Sequence, residues 1–279
     1  MLFGKKQSLV GLDIGSHTIK AVELEPQANR SWRLARWGIS APLAEAIVDG
    51  EIMDRQLVTD AITNLFETRG IRSRSVVAAV SGRAVIVKKI TMNRLSAADA
   101  QQAVYWEAEQ HVPYDINDVS LDFEIVGPAP NAPKQMQVLL VAAKKDMVTS
   151  FGDLIREAGL TPAVVDVDSF AVQNALEANY DFAPEEVVAV LNVGAEMTNI
   201  NIIQAGVPYF TKDLQVGGST FVEAAQRKFN LSQAEAGAAV RGESGANLEL
   251  APVIEQACEG LATALERAQA FLRTSGEAG

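Results

Sequence analysis

The sequence has only one cysteine, Cys258, and two histidines, His17 and His111. A single cysteine excludes a disulfide within the chain and fits a reducing compartment, and these three side chains are too few for a zinc site. No apolar run approaches the roughly 20 residues that a membrane-spanning helix requires. Lys5 and Lys6 are not followed by an apolar signal-peptide core. We therefore expect a cytoplasmic protein that reaches a membrane only through a partner.

Basic residues are also scarce. The chain has 24 lysines and arginines against 35 aspartates and glutamates, which gives a formal net charge of −11. An acidic surface repels phosphate backbones, so nucleic acid is excluded as a general partner. The Walker-type loop and the Gly-x-Gly-x-x-Gly pattern are absent as well. What is present is a chain of 279 residues, 48% of them hydrophobic, which predicts a folded protein of about two domains.

Strand and helix patterns follow one another in a similar order at two places in the chain. In the first third, the periodicity predicts strands over residues 8–14, 18–24 and 32–40 and a helix over 54–69. In the last third, it predicts strands over residues 187–193, 199–204 and 207–211 and a helix over 220–229. Each copy begins with two strands joined by a short glycine turn. This approximate repeat predicts two related α/β domains.

The segment between the two copies is predicted to form an inserted subdomain. It contains strands over residues 84–91, 119–126 and 135–143, helices over 97–110 and 145–158, and a proline-rich surface loop over 127–133. We therefore expect a first subdomain of residues 1–83 together with 160–185, an inserted subdomain of residues 84–159, and a second domain of residues 186–279.

The first glycine turn, within residues 11–20, has the residue types of a phosphate-binding turn. Gly15 lets the backbone approach a ligand closely, and the turn that follows offers N–H and hydroxyl donors to an anion. Lys20 adds a positive charge, and Asp13 is able to hold Mg²⁺ through water. The alternative interpretation is an ordinary hairpin turn.

The second glycine turn, within residues 190–199, has a similar pattern. Gly194 stands at its centre, and Gly217 and Gly218 precede a predicted helix. Backbone N–H groups at a helix start and in a tight turn bind anions. Three such turns in one chain predict a phosphate site more strongly than one turn does.

These turns and several longer stretches resemble one protein family. The order of elements is similar to that of the actin-like ATPase superfamily, which includes sugar kinases, heat-shock chaperone ATPases, FtsA and MreB. Within it, the chain resembles the PilM family of type IV pilus assembly proteins. The resemblance is carried by residues 2–6, 11–20, 47–52, 106–114, 119–123 and 164–171. It implies an actin-like (ribonuclease H-like) α/β fold with two domains and an inserted subdomain. The family's adenosine-binding glycine turn after the last long helix is absent, so the C-terminal part is expected to be truncated.

The resemblance also implies a site for ATP and Mg²⁺. In that site Asp13 holds the metal through water, and Asp168 lies near the γ-phosphate. The phosphate contacts on one side are implied for Gly15, Ser16, His17 and Lys20, and those on the other side for Gly194, Thr198, Gly217 and Gly218. Three positions depart from the family. Asn192 stands where an aspartate is usual, which predicts at most a weak ATPase. Gly237 and Val240 stand where a Glu and a Lys contact the nucleoside, with Arg241 as the substitute.

For partners, the resemblance implies an adaptor that binds the short cytoplasmic N-terminal tail of the inner-membrane protein PilN. The tail is expected in a groove between the first subdomain and the insert, lined by Val85, Val87, Leu121 and Phe123. Other inner-membrane components of the pilus machinery and self-association are further expectations. Two other functions stay open: an ATP-dependent, sugar kinase-like phosphotransferase, and a filament-forming division protein like FtsA.

Overall fold

The computed structural model describes residues 8–27, 31–43, 45–48, 50–130, 132–183, 185–243, 245 and 248–274, with the backbone only at 97–98 and 271–274. The predicted resemblance over residues 2–6, the lysines Lys5 and Lys6, and Asp49 within residues 47–52 lie outside the described residues. The chain divides into two compact units. One contains residues 1–188 and 201–211, and the other contains residues 189–200 and 212–279.

Thirteen strands, seven α-helices and one short 3₁₀ helix, Ile116–Asp118, make up the described elements. The strands are β1 Val10–Ile14, β2 Ile19–Pro26, β3 Trp32–Ile39, β4 Ile47–Val48, β5 Glu51–Ile52, β6 Ser75–Val80, β7 Val85–Asn93, β8 Val119–Ala129, β9 Ala132–Lys144, β10 Thr161–Val167, β11 Val187–Val193, β12 Thr198–Gln204 and β13 Val207–Leu214. The helices are α1 Arg55–Thr68, α2 Ala97–Ala108, α3 Lys145–Glu157, α4 Asp168–Glu177, α5 Gly218–Phe229, α6 Gln233–Val240 and α7 Ala251–Thr274. No helix in the described parts of the chain is long and apolar enough to cross a membrane.

A five-stranded sheet organises the first unit. Its order is β10-β6-β1-β2-β3. The strands β1, β2 and β3 form an antiparallel meander, and β6 and β10 extend it with parallel pairing. The carboxyl ends of the three parallel strands β1, β6 and β10 therefore lie along one edge of the sheet. In open α/β sheets this edge is where ligands bind.

The helix α1 covers one face of this sheet. Its N-cap is Asp54, whose Oδ1 accepts a hydrogen bond from the N–H of Leu57 at 3.0 Å, and Gly70 follows its end with a φ of 62°. The buried residues of α1 recur at helical spacing and join the strand residues in one core. The helix residues of this core are Val58, Ile62, Leu65 and Phe66, and the strand residues include Val10, Leu12, Ile19 and Val76.

Apolar side chains are exposed on the other face of the β2–β3 hairpin. Val22 pairs with Trp37, and Leu24 pairs with Leu34 after a register shift. All four side chains are exposed, and Trp32 next to them is 64% exposed. A third tryptophan, Trp106 on α2, is 60% exposed. Because most monomeric proteins have only small exposed apolar patches, this face is a distinctive feature of the unit.

The inserted subdomain has its own three-stranded sheet with the order β7-β9-β8. The helix α2 packs on it, and its Ala100, Val104 and Ala108 are fully buried in a second core. The predicted proline-rich loop over residues 127–133 is wrong, because β8 continues to Ala129 and β9 begins at Ala132. Pro128 is compatible with the strand since β8 is an edge strand with register shifts on both sides of this residue, and prolines in sheets are found at edges and bulges.

The helix α3 lies within the predicted insert of residues 84–159, but it packs against a different core from the rest of the insert. Its Leu154 and Ile155, both fully buried, belong to the core of the five-stranded sheet and not to the core of the insert. Arg55 of α1 reinforces this packing, because its guanidinium donates to Ser150 at 3.0 Å and to Glu157 at 2.9 Å. By its side chains, α3 is therefore part of the first subdomain.

A third sheet has the order β11-β12-β13. A two-residue turn joins β12 to β13, and both of its residues, Ala205 and Gly206, have positive φ (52° and 73°), as hairpin turns of this length require. The helix α5 packs on α6 and on α7. At the start of α6, Ser232 and Glu235 form a capping box.

Candidate functional site

The first glycine turn joins β1 to β2, as expected, and the two predicted charged residues lie opposite each other across it. Asp13 and Lys20 are cross-strand partners, with Oδ2 and Nζ 2.9 Å apart. A Cβ atom built on Gly15 would lie 3.2 Å from Nζ of Lys20 and 3.0 Å from the carbonyl oxygen of Thr18. The ammonium group of Lys20 therefore lies directly over the backbone of Gly15, in space that a side chain would fill.

Two hydrogen bonds anchor this turn to the segment after β3. The carbonyl oxygen of His17 accepts from the N–H of Leu43 at 2.7 Å, and Ser40 Oγ accepts from the N–H of Ile19 at 2.9 Å. The side chain of His17 is exposed, and Ser16 is half-buried. A fixed backbone with one lysine over a glycine suits an anionic group.

Asp168 lies at the same edge of the sheet as this turn. It is the first residue of α4, directly after β10, and β10 runs parallel to β6, which runs parallel to β1. The structure therefore places Asp168 with Asp13, Gly15 and Lys20 at the carboxyl edge of one sheet. The N-cap residue of α4, Val167, supplies no capping side chain.

The second glycine turn repeats the geometry of the first. The N–H of Gly194 donates to the carbonyl oxygen of Met197 at 2.8 Å, and a Cβ on Gly194 would lie 2.9 Å from that oxygen. Asn192 and Asn199 occupy the positions that Asp13 and Lys20 have in the first turn, two residues before the glycine and five after it. They are joined by a hydrogen bond from Asn192 Nδ2 to Asn199 Oδ1 of 3.1 Å. A charged pair in one turn is thus a neutral amide pair in the other.

The glycines before α5 pack directly on this second turn. A Cβ on Gly217 would lie 2.6 Å from the carbonyl oxygen of Ala195. The N–H groups of Gly218 and Ser219 donate to Gly194 and Ala195 at 2.9 and 2.7 Å. Thus the structure brings Gly194, Gly217 and Gly218 together, but these two N–H groups at the start of α5 already bind the turn.

Thr198 is also predicted to contact phosphate. It is fully buried, and its Oγ1 donates to the carbonyl oxygen of Val216 at 2.6 Å. In this geometry its hydroxyl joins the turn to the segment before α5. Asn192, half-buried, and Gly194, exposed, are the predicted residues of this turn that solvent reaches.

Arg241 lies at the C-cap of α6 and forms an ion pair with Glu243, with Nη2 and Oε2 2.8 Å apart. The hydrogen bond from Arg241 holds the pKa of Glu243 below its ordinary value of 4.5. A Cβ on Gly237 would lie 3.2 Å from Nη1 of Arg241, so the arginine lies over the surface of its own helix. The predicted contact of Arg241 with a nucleoside stays a prediction.

The four predicted groove residues do not share a surface. Leu121 and Phe123 of β8 pair with Ala142 and Leu140 of β9 and pack against the insert's core. Val85 and Val87 of β7 pair with Ala143 and Val141. Along β9, these two residues alternate with Leu140 and Ala142, the partners of β8. Since neighbouring residues of a strand point to opposite faces, the two valines and the two β8 residues lie on opposite sides of the sheet.

Another concave surface lies in the first unit, between α3 and β10. It is a shallow cavity of about 280 Å³. Its lining includes Thr149, Gly152 and Arg156 of α3 and Pro162, Val164 and Val165 of β10. β10 is an edge strand, and Val164 is 50% exposed. Edge strand and cavity together have the form of a site for an extended peptide.

The residues of the first turn fit the phosphate end of a nucleotide. Lys20 supplies the charge, Gly15 supplies the space, and Asp13 is a carboxylate for a metal-bound water. Among the described residues there is no group of three or more His, Cys, Asp or Glu side chains arranged to hold a metal ion by themselves. A metal at this turn would therefore depend on the ligand's own oxygens, as Mg²⁺ commonly does with phosphates.

Two residues at the second turn were not predicted from the sequence: Asn199, which lies on β12, and Asp213, which contacts it from β13. Asn199 Nδ2 donates to Asp213 Oδ1 at 2.7 Å. Asn199 has the same position relative to Gly194 as Lys20 has to Gly15, so comparing the two turns residue by residue is the signal that would have found it. Asp213, at the end of β13, has no such signal in the sequence.

Comparisons with known proteins bear on the family and the fold of the chain. Residues 11–278 match the family described as "Type IV pilus assembly protein PilM". The chain is similar to a solved structure named "PilM-PilN type IV pilus biogenesis complex", with a TM-score of 0.84 and 29% identity over 97% of this chain and 78% of that one. The fold is also shared with ethanolamine utilization protein EutJ from Carboxydothermus hydrogenoformans (TM-score 0.55, 15% identity, 94% of this chain and 71% of that one). MreB5 of Spiroplasma citri bound to AMPPNP shares it too (TM-score 0.54, 11% identity, 94% and 78%). The expected actin-like fold is confirmed.

Proposed function

Because this chain belongs to the PilM family of type IV pilus assembly proteins, we propose that it is an actin-like adaptor that binds the N-terminal tail of PilN. The observation that carries this proposal is the similarity, over 97% of the chain, to the solved structure named "PilM-PilN type IV pilus biogenesis complex". In this proposal the protein works in the cytoplasm and is held at the inner membrane by PilN and other pilus components. Binding of the PilN tail would attach the protein to the inner membrane.

The surface between α3 and β10 is the tail-binding site that we propose. An extended peptide beside β10 would add main-chain hydrogen bonds to a free strand edge. Val164 offers an apolar contact, and the Arg156 guanidinium lies over Gly152 of α3, with Nη1 3.4 Å from where a Cβ would be, so it is placed to meet polar groups of the peptide. The insert face with Val85 and Val87 is the alternative surface.

A calorimetric titration with a synthetic PilN N-terminal tail tests both the partner and the surface. We expect saturable binding of the native tail and no binding of a scrambled tail. Val164→Glu should weaken binding about tenfold or more, whereas Val87→Glu should leave it unchanged. The reverse pattern would move the site to the insert. If the folded wild-type chain binds neither peptide, the adaptor proposal is wrong.

We also propose that the first turn binds the phosphates of ATP with Mg²⁺. Lys20 over Gly15 supports this, because a positively charged donor against open backbone is suited to a phosphate oxygen. Mg²⁺ would offset the charge of the phosphates, and Asp13 would orient a water in its shell. The neutral Asn192–Asn199 pair supplies no carboxylate to the second turn, which favours holding a nucleotide over hydrolysing it.

A further inference from the structure

Three polar side chains form a continuous chain of hydrogen bonds behind the second turn. Asn192 Nδ2 donates to Asn199 Oδ1 at 3.1 Å, and Asn199 Nδ2 donates to Asp213 Oδ1 at 2.7 Å. Asn199 is 7% exposed, and the other two are half-buried. All three lie within the second compact unit.

The chemistry of Asp213 determines which side chain donates and which accepts in each of these hydrogen bonds. An ionised carboxylate only accepts hydrogen bonds, so Asn199 must turn its NH₂ group toward Asp213. The carbonyl oxygen of Asn199 then faces Asn192, which must in turn present its own NH₂ group to Asn199. This leaves Asn192 Oδ1, which accepts no hydrogen bond from any of the described side chains or backbone groups.

We propose that Asp213 is a positioning residue that makes Asn192 a hydrogen-bond acceptor at the second turn. The ligand that suits Asn192 Oδ1 is a hydrogen-bond donor, namely a water bound to Mg²⁺, and not a phosphate oxygen. This inference rests on the proposed nucleotide site for its ligand, but the orientation of the three side chains stands independently of it. In this role Asn192 accepts from a donor, whereas Lys20 of the first turn donates to an anion.

The donor-to-acceptor direction of these hydrogen bonds predicts which substitutions are incompatible with them. Asn192→Asp places two acceptors, the new carboxylate and Asn199 Oδ1, against each other. Asn199 cannot turn to relieve this, because its carbonyl oxygen would then face the carboxylate of Asp213. Asp213→Asn keeps an oxygen that accepts from Asn199, and it also has an NH₂ group that can donate if Asn199 turns over.

A double-mutant cycle of N192D, D213N and N192D/D213N tests the orientation by urea unfolding. We expect N192D to shift the folded-to-unfolded ratio by about tenfold toward unfolding and D213N to change it less. The double variant should recover most of the loss of N192D, because Asn199 can then turn over, donate to the new carboxylate at position 192 and accept from the new amide at position 213. Simple additivity of the two single effects would overturn the proposal.

Binding of ATP, measured with Mg²⁺ and with EDTA, tests the ligand. In D213N the orientation of Asn199 and Asn192 is no longer enforced, so affinity for Mg-ATP should fall about threefold to tenfold while affinity for metal-free ATP stays unchanged. An equal loss in both conditions, or no loss in either, would overturn the acceptor role. If the wild type binds no nucleotide, the proposed nucleotide site fails, and the unfolding cycle still decides the orientation.

Discussion

Asp13 and Lys20 face each other on β1 and β2, with Oδ2 and Nζ 2.9 Å apart, directly above the backbone of Gly15. A phosphate at Gly15 must therefore compete with Asp13 for the ammonium group of Lys20. A divalent cation that takes the charge of Asp13 would release Lys20 for the phosphate. In the proposed nucleotide site, the pair would therefore couple the binding of an anion to the binding of a metal.

This coupling predicts different effects for the two residues. Lys20→Met should weaken Mg-ATP binding about tenfold or more, since a hydrogen bond to a charged group contributes about 1.5–3 kcal/mol. Asp13→Asn should weaken Mg-ATP binding but strengthen the binding of ATP in EDTA, because a negative charge near the phosphates is removed. Calorimetry in both conditions measures this, with Lys134→Met, an exposed lysine of the insert, as the control. Equal effects of the two variants in EDTA would contradict the coupling.

Gly217 and Gly218 are neighbours with opposite tolerance for a side chain. A Cβ on Gly217 would lie 2.6 Å from the backbone oxygen of Ala195, whereas the nearest atom to a Cβ on Gly218 is 3.8 Å away. We expect Gly217→Ala to cost about 2–3 kcal/mol of unfolding free energy and Gly218→Ala to cost less than about 1 kcal/mol. Urea denaturation measures both variants. Equal costs would show that α5 does not pack on the second turn as described.

Two arginines of β3 form ion pairs with different burial. Arg36 Nη1 lies 2.8 Å from Oε2 of Glu23, whose side chain is 5% exposed, whereas Arg33 pairs with Glu25 at the surface. Arg36→Met leaves the buried carboxylate with a hydrogen bond from Ser8 but without its positively charged partner, and it should cost about 2–4 kcal/mol, while Arg33→Met should cost about 0–1 kcal/mol. Thermal or urea unfolding measures the difference. A smaller loss of unfolding free energy in Arg36→Met than in Arg33→Met would contradict this prediction.

Packing of α3 can be tested by comparing the two cores. Leu154→Ala should destabilise the five-stranded sheet by about 2–4 kcal/mol and speed amide hydrogen exchange in β1 and β6. Val104→Ala in α2 is the matched change in the insert and should speed exchange in β7, β8 and β9 instead. If Leu154→Ala acts mainly on β7–β9, then α3 belongs with the insert after all.

The capping box of α6 makes the stability of the protein depend on pH, in a direction that the pKa shift of Glu235 defines. The hydroxyl and N–H groups of Ser232 donate to Glu235 Oε2 at 2.6 and 2.9 Å and hold the pKa of Glu235 below its ordinary value of 4.5. Because the folded pKa is depressed, the carboxylate's contribution to stability is present above pH 4.5 and is lost as pH falls through the folded pKa. A carboxyl NMR titration should show the pKa rising toward 4.5 in Ser232→Ala. An unchanged value would mean that Ser232 is not the cause.

Much of the fold follows from local patterns that the sequence displays directly. The first helix is an example, because Asp54 caps it, Gly70 ends it and the apolar residues between them have helical spacing. The glycine turns at Gly15 and Gly194 are predictable for the same reason, since each lies between two short apolar strands. Each of these features depends on residues close together in the chain.

Features that depend on pairing between distant segments were not predictable in the same way. Val87 and Phe123 both look like apolar strand residues, but only the register of β7 and β8 on β9 shows that they lie on opposite faces. Likewise, Leu154 has the pattern of any amphipathic helix, and nothing local indicates which of two cores it enters. The anchor of the second turn, Asp213, comes from the end of another strand.

The positions of the three tryptophans have a consequence for spectroscopy. Trp32, Trp37 and Trp106 are 64%, 58% and 60% exposed, and the sequence has no other tryptophan. The intrinsic fluorescence of the folded protein is therefore that of indole in water, with long-wavelength emission and ready quenching by iodide. Unfolding will change this emission little, whereas covering the β2–β3 face or α2 will shift it to shorter wavelength. The molecule has built-in optical reporters on its surface and none in its interior.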